Sequence, residues 1–136
     1  MTINNPVLIS TDELAQQLSS DPPRLLDIRW TLASPDGSAA YRAGHIPGAV
    51  YVDLDAELSD HAVAGRGRHP LPSAAALQDS ARRWGLNPGE PVVVYDDWNA
   101  QAAARAWWLL RAAGLYDVRI LDGGWSAWQE AGALTE

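Results

Sequence analysis

The 136-residue chain contains no cysteine. That absence excludes a thiolate nucleophile, a disulfide and thiolate ligation of a metal. Lysine is absent too, so all 10 basic residues are arginine. Schiff-base chemistry and a phosphate-binding P-loop lysine are thereby excluded. Phenylalanine is missing while tryptophan occurs seven times, so tryptophan is expected to take its place in the core. No apolar run has the length of a membrane span, and no basic segment followed by an apolar stretch opens the chain. A cytoplasmic protein with neither a leader nor a membrane partner is expected. The formal net charge is −7 and there is no basic stripe, which argues against nucleic acid as a partner.

At 47% hydrophobic and 20% charged residues the chain is globular in composition. Its length suits one core, so a single domain over 1–136 is expected. Val7 to Ile9 reads as an edge strand. Ser10-Thr11-Asp12-Glu13 fits a capping box at the head of a helix that stops at Asp21-Pro22-Pro23. Leu25 to Arg29 reads as a strand, Ser38 to Ala43 as about one helical turn, and Ala49 to Val52 as a third strand. Asp53 to Pro72 looks irregular, and a loop of that length is usually functional or an interface. Ser73 caps a helix running to Trp84. The strand Val92 to Tyr95 leads through a loop into a helix ending at Ala113-Gly114. That helix is apolar on nearly every side and is expected to be buried on more than one face. Val118 to Leu121 is the last strand, followed by Gly123-Gly124 and a helix carrying Trp125 and Trp128. Short apolar strands alternating with helices predict an α/β fold with a five-stranded parallel sheet and helices on both faces.

The loop after Tyr95, made of Asp96, Asp97, Trp98, Asn99, Ala100 and Gln101, holds the favoured position for a site in such a fold. There the unpaired N–H groups and the dipole of the next helix converge. Two adjacent carboxylates at that point could bind a metal or act as acid and base. The plainer reading is that one caps the helix and the other is solvated. A phosphate cradle is excluded, because the loop does not open on cysteine and Arg105 lies too far along the helix. Asp53-Leu54-Asp55 resembles the opening of aspartate-nucleophile phosphatases, and with Asp96 or Asp122 it outlines a metal-dependent hydrolase as a remote alternative. His45, His61 and His69 are the only imidazoles. Asp55, Asp60 and His61 could form a hard-metal or zinc site, but their spacing matches no ligand motif and no metal or other cofactor is expected. His45 is expected to hold its Gly-His-Ile-Pro-Gly loop through backbone hydrogen bonds. Asp27 and Arg29 read either as catalytic groups or as a buried pair tying strand to loop. Trp98 stands at the loop tip with nothing evident to cover it, and Trp30 is expected close by. Exposed aromatics at one edge suggest contact with another surface.

Leu-Leu-Asp-Ile-Arg (25–29), Tyr-Arg-Ala-Gly-His-Ile-Pro-Gly-Ala (41–49), Val-Val-Val-Tyr (92–95) and Leu-Asp-Gly-Gly-Trp-Ser-Ala-Trp (121–128) together resemble the rhodanese family of sulfurtransferases. The likeness runs over nearly the whole chain. It implies the rhodanese-like parallel sheet and the transfer of sulfane sulfur from thiosulfate or 3-mercaptopyruvate through a cysteine persulfide. The cysteine of that chemistry opens the loop after the fourth strand, where this chain has Asp96. A carboxylate forms no persulfide, so the domain is expected to be inactive by itself. Val-Asp-Leu-Asp (52–55), Arg-His-Pro-Leu-Pro (68–72) and Arg-Ala-Trp-Trp (105–108) are similar to the cysteine-less N-terminal half of two-domain family members. The resemblance implies a catalytic rhodanese domain in the same parent chain as partner, to whose site Asp55 and His69 would contribute. A stand-alone inactive module that binds a protein partner is the alternative.

Overall fold

The computed structural model describes residues 6–136. Five strands form one parallel sheet: β1 (Leu8–Ile9), β2 (Arg24–Asp27), β3 (Val50–Tyr51), β4 (Val92–Tyr95) and β5 (Val118–Leu121), in the order β1-β5-β4-β2-β3. Among the described residues, α1 (Thr11–Leu18), α2 (Ser38–Ala43), α3 (Leu54–Glu57), α4 (Ala74–Arg83) and α5 (Gln101–Ala112) lie in the crossovers, and α6 (Gly124–Glu130) follows the last strand. β1 is an edge strand, as its short apolar run predicts.

Period-two alternation divides the central strands between two cores. Leu26, Val92, Val94, Val118 and Ile120 pack with Leu77, Trp84, Ala103, Ala106 and Leu110 under α4 and α5. Leu25, Val93, Tyr95 and Leu121 pack with Leu14, Ile46, Trp125 and Trp128 on the opposite face, which α1 and α6 cover. All four residues of β4 are buried, because a central parallel strand is covered on both sides and has no solvent face.

Local chemistry sets the helix starts. Ser73 Oγ accepts the Ala76 N–H at 3.1 Å, and Ser10 Oγ accepts the Glu13 N–H at 3.1 Å. The other arm of the expected capping box is not what engages Glu13 most closely, since its carboxylate takes Arg119 at 2.6 Å.

Three expectations need correction. The stretch 53–72 is not wholly irregular, because α3 forms at its start. Asp53 Oδ1 accepts the N–H groups of Asp55 and Ala56, and Glu57 Oε1 accepts the N–H of Asp53. This reciprocal cap is a legible signal that the hydropathy pattern obscured. Next, α5 is buried along one face, through Ala102, Ala103, Ala106, Leu109 and Leu110, while Trp108 is 53% exposed. Finally, tryptophan serves the core only in part: Trp30, Trp84, Trp125 and Trp128 are buried, and the others are not.

Candidate functional site

Parallel strands deliver their following loops to one edge of the sheet, so the carboxyl ends of β2, β3, β4 and β5 bring four chain segments together. Trp30 follows β2, Asp53 and Asp55 follow β3, Asp96 to Gln101 follow β4, and Asp122 to Ser126 follow β5. A cleft of about 410 Å³ opens there, lined by residues 96–100 with Asp122, Gly123, Gly124 and Ser126. A larger groove of about 1000 Å³ lies at the opposite edge, between Leu18, Pro23, Pro91 and Trp128. It gathers no convergent set of nucleophiles or acid–base groups, so the smaller cleft is the candidate site.

Asp96 organises that cleft. The residue is 1% exposed and its carboxylate accepts four backbone hydrogen bonds. Oδ1 takes the N–H groups of Trp98 and Ala100, each at 3.0 Å; Oδ2 takes those of Ala102 and Ala103, each at 2.8 Å. Those donors comprise two loop amides and two first-turn amides of α5, groups that a helix leaves unsatisfied. The loop closes on the carboxylate through two successive left-handed residues, Asn99 (φ 52°) and Ala100 (φ 63°). Behind it, Gly124 lies so near the Asp96 carbonyl that a Cβ would stand 2.4 Å from the oxygen. The expected helix-capping role of one carboxylate is thus observed, in a more extensive form than a single cap. Its neighbour Asp97 is exposed and accepts Ser126 Oγ at 2.7 Å. Asn99 and Gln101 are exposed at the rim.

This geometry leaves the buried carboxylate of the loop without a free oxygen. Both oxygens of Asp96 are committed to backbone donors, and Asp53 Oδ1 is spent on the cap of α3. Asp96 is therefore committed elsewhere than to the metal-dependent hydrolase outlined from Asp53 and Asp55 with Asp96 or Asp122.

Beside the loop an aromatic and imidazole cluster forms. Trp30 is 6% exposed, which corrects its expected role as a surface aromatic. Its Nε1–H donates to Asp55 Oδ2 at 3.1 Å, and its ring lies 5.2 Å from Trp98 and 5.3 Å from His69. Trp98 is therefore partly covered from within its own chain, by Trp30. His61 Nε2 and His69 Nδ1 approach Asp55 Oδ1 at 3.3 and 3.5 Å. Burial lowers His69 below the ordinary imidazole range, against the pull of Asp55, with Arg105 adding to the lowering. The sequence reading missed Arg105 as a positioning residue. Its Nε donates to Leu58 O at 2.8 Å and its Nη2 to His69 O at 2.7 Å, tying α5 to the segment that carries His69.

Asp27 and Arg29 form the buried pair at 3.2 Å, without hydrogen-bond geometry, beneath the other face of this edge. The Arg29 guanidinium stands 4.4 Å over the Trp125 ring. Desolvation pushes the Asp27 carboxyl up to about 6, in spite of Tyr95 and Arg29 beside it. His45 holds its loop as expected: Nδ1–H donates to Tyr41 O at 2.7 Å.

Residues 10–131 match the family model of the rhodanese-like domain. The chain belongs to the rhodanese-like family. It is 58% identical over 137 residues to the Mycobacterium tuberculosis protein SseB, whose name assigns it to the thiosulfate sulfurtransferases; the match covers 100% of this chain and 48% of that protein. Among solved structures, it superposes on 3-mercaptopyruvate sulfurtransferase from Leishmania major with a TM-score of 0.87 at 32% identity, over 99% of this chain and 38% of that one. The corresponding figures for SseA from Escherichia coli are a TM-score of 0.86, 34% identity, 97% and 50%. The chain spans about half the length of the curated relatives it matches. The rhodanese-like fold and the sulfurtransferase kinship read from the sequence are both borne out. No helix among the described residues is long and apolar enough to cross a membrane.

Proposed function

We propose that residues 1–136 are one rhodanese-like domain, the non-catalytic N-terminal half of a two-domain thiosulfate or 3-mercaptopyruvate sulfurtransferase. The observation that carries this reading is the Asp96 carboxylate. It occupies the loop position where the family places its cysteine, and it accepts four backbone N–H groups itself. A buried carboxylate already fills the cradle, so an incoming thiosulfate meets no thiol and finds those four amides already engaged. The loop then acts as a fixed wall facing a catalytic domain rather than as a reaction centre.

Asp55 and His69 are the residues assigned to the facing domain's site. Trp30 holds the carboxylate and Arg105 holds the His69 backbone, so the pair is presented rigidly at the edge. Leu71, which is 53% exposed, and the half-covered Trp98 supply apolar surface around them. The same surface would serve a stand-alone module with a separate protein partner.

The test is sulfur transfer. Purified 1–136 given thiosulfate and cyanide should produce no thiocyanate. In the two-domain parent, Asp55→Ala and His69→Ala should lower kcat for 3-mercaptopyruvate while leaving the fold unchanged by circular dichroism. Measurable turnover by 1–136 itself overturns the assignment.

A further inference from the structure

Thirteen residues of α3 and loop separate Asp55 from His69 in the chain, yet the fold closes them onto one point together with His61. One ligand atom from each residue lies within 4.8 Å of the other two. Asp55 Oδ1 stands 3.3 Å from His61 Nε2 and 3.5 Å from His69 Nδ1. A tetrahedral zinc ion with bonds of about 2.0–2.1 Å has ligand–ligand edges of about 3.3–3.4 Å. Two of the three edges therefore already have the separation that zinc requires.

The surroundings suit a ligand set better than a simple ion pair. His69 Nδ1 is buried and has no hydrogen-bond partner, although Asp55 faces it. A buried nitrogen with nothing to bond is costly, and a metal ion would satisfy it. Trp30 Nε1–H takes the second carboxylate oxygen and so leaves Oδ1 presented to the two imidazoles. Ligating carboxylates are regularly oriented by such an outer hydrogen bond. The His61 side chain is 47% exposed, which gives the ion an entry path and leaves a fourth position open to water.

We propose that Asp55, His61 and His69 form a Zn²⁺ site. Two imidazoles and one carboxylate select a borderline transition ion and reject Mg²⁺, which requires an oxygen octahedron. The proposal shares two residues with the proposed domain role but does not rest on it, because its readout is metal binding alone.

The chain offers few competing ligands: it has no cysteine and one further histidine, His45, which already bonds Tyr41 O through Nδ1. Titrating the metal-free 136-residue chain with Zn²⁺ against a chromogenic chelator should show one equivalent bound. The NMR ring signals of His61 and His69 should move and those of His45 should stay. His61→Ala, at an exposed position, should weaken binding about tenfold or more with the circular dichroism spectrum unchanged, and Trp30→Phe should weaken it as well. Mg²⁺ should produce no change in those signals. Absence of Zn²⁺ binding to the native chain, or undiminished binding by His61→Ala, overturns the proposal.

Discussion

Asp96 Oδ2 receives the N–H of Ala103, seven residues further along the chain, at 2.8 Å. The bond runs from the mouth of a buried strand into the first turn of α5. Together with the three other donors to the same carboxylate, it makes Asp96 the anion around which the loop is folded.

Asp96→Ala should destabilise the chain by roughly 3–5 kcal/mol, because it leaves four N–H groups around a buried site without their acceptor. Asp96→Asn keeps one oxygen and turns the other end into a donor facing donors, so it should cost a comparable amount. Urea denaturation followed by tryptophan fluorescence checks both. A loss below 1 kcal/mol would show that the loop is not built on this side chain.

Ala100 holds φ 63°, a conformation that costs an alanine about 1 kcal/mol and a glycine little. Ala100→Gly should therefore shift stability by less than about 1 kcal/mol in either direction. Relief of strain offsets the larger backbone entropy lost by glycine on folding. An ordinary helix-start alanine changed to glycine would only lose stability, which a thermal melt distinguishes.

Asp96→Cys puts a thiol among the same amides. Its ionisation should fall below the ordinary thiol value of about 8.5, because those donors and the helix dipole favour the thiolate. The alkylation rate by iodoacetamide as a function of pH measures it. Weak sulfurtransferase activity in this variant would show that the loop retains the geometry of an active one.

Asp27 supplies a pH dependence. Its folded carboxyl is raised to about 6 from 3.8, so between those values the folded chain binds more protons than the unfolded one. This contribution to stability is complete below about pH 4 and is lost as the pH rises through about 6. The size is roughly 2–3 kcal/mol. Urea midpoints between pH 4 and 7 should lose this downward slope in Asp27→Asn, which remains neutral throughout.

Much of the scaffold was legible in local chemistry. Val92 to Tyr95 is apolar throughout because the strand is covered on both faces, and that pattern is visible without coordinates. Ser73 and Ser10 announce their helices, since a cap depends on residues three positions apart. The place of the candidate cleft, after the central strand, follows from the alternation of strand and helix. The missing cysteine alone removes persulfide chemistry from the chain.

Other relationships belong to the tertiary structure. Nothing local in Asp-Asp-Trp-Asn-Ala-Gln reveals that one carboxylate collects four donors, because the loop turns through left-handed Asn99 and Ala100 where no glycine marks the bend. Nor does the chain show that Trp30 is buried against Asp55 while Trp108 faces outward. Both lie in apolar stretches, and which side is covered depends on the strand order β1-β5-β4-β2-β3. The meeting of Asp55, His61 and His69 is the clearest case. Their irregular spacing carries no motif, and only the docking of residues 58–70 on α5 by Arg105 brings them to one point. Local bonds and caps are decided by neighbours in sequence, whereas a site assembled from loops of different strands is decided by how the sheet orders those strands.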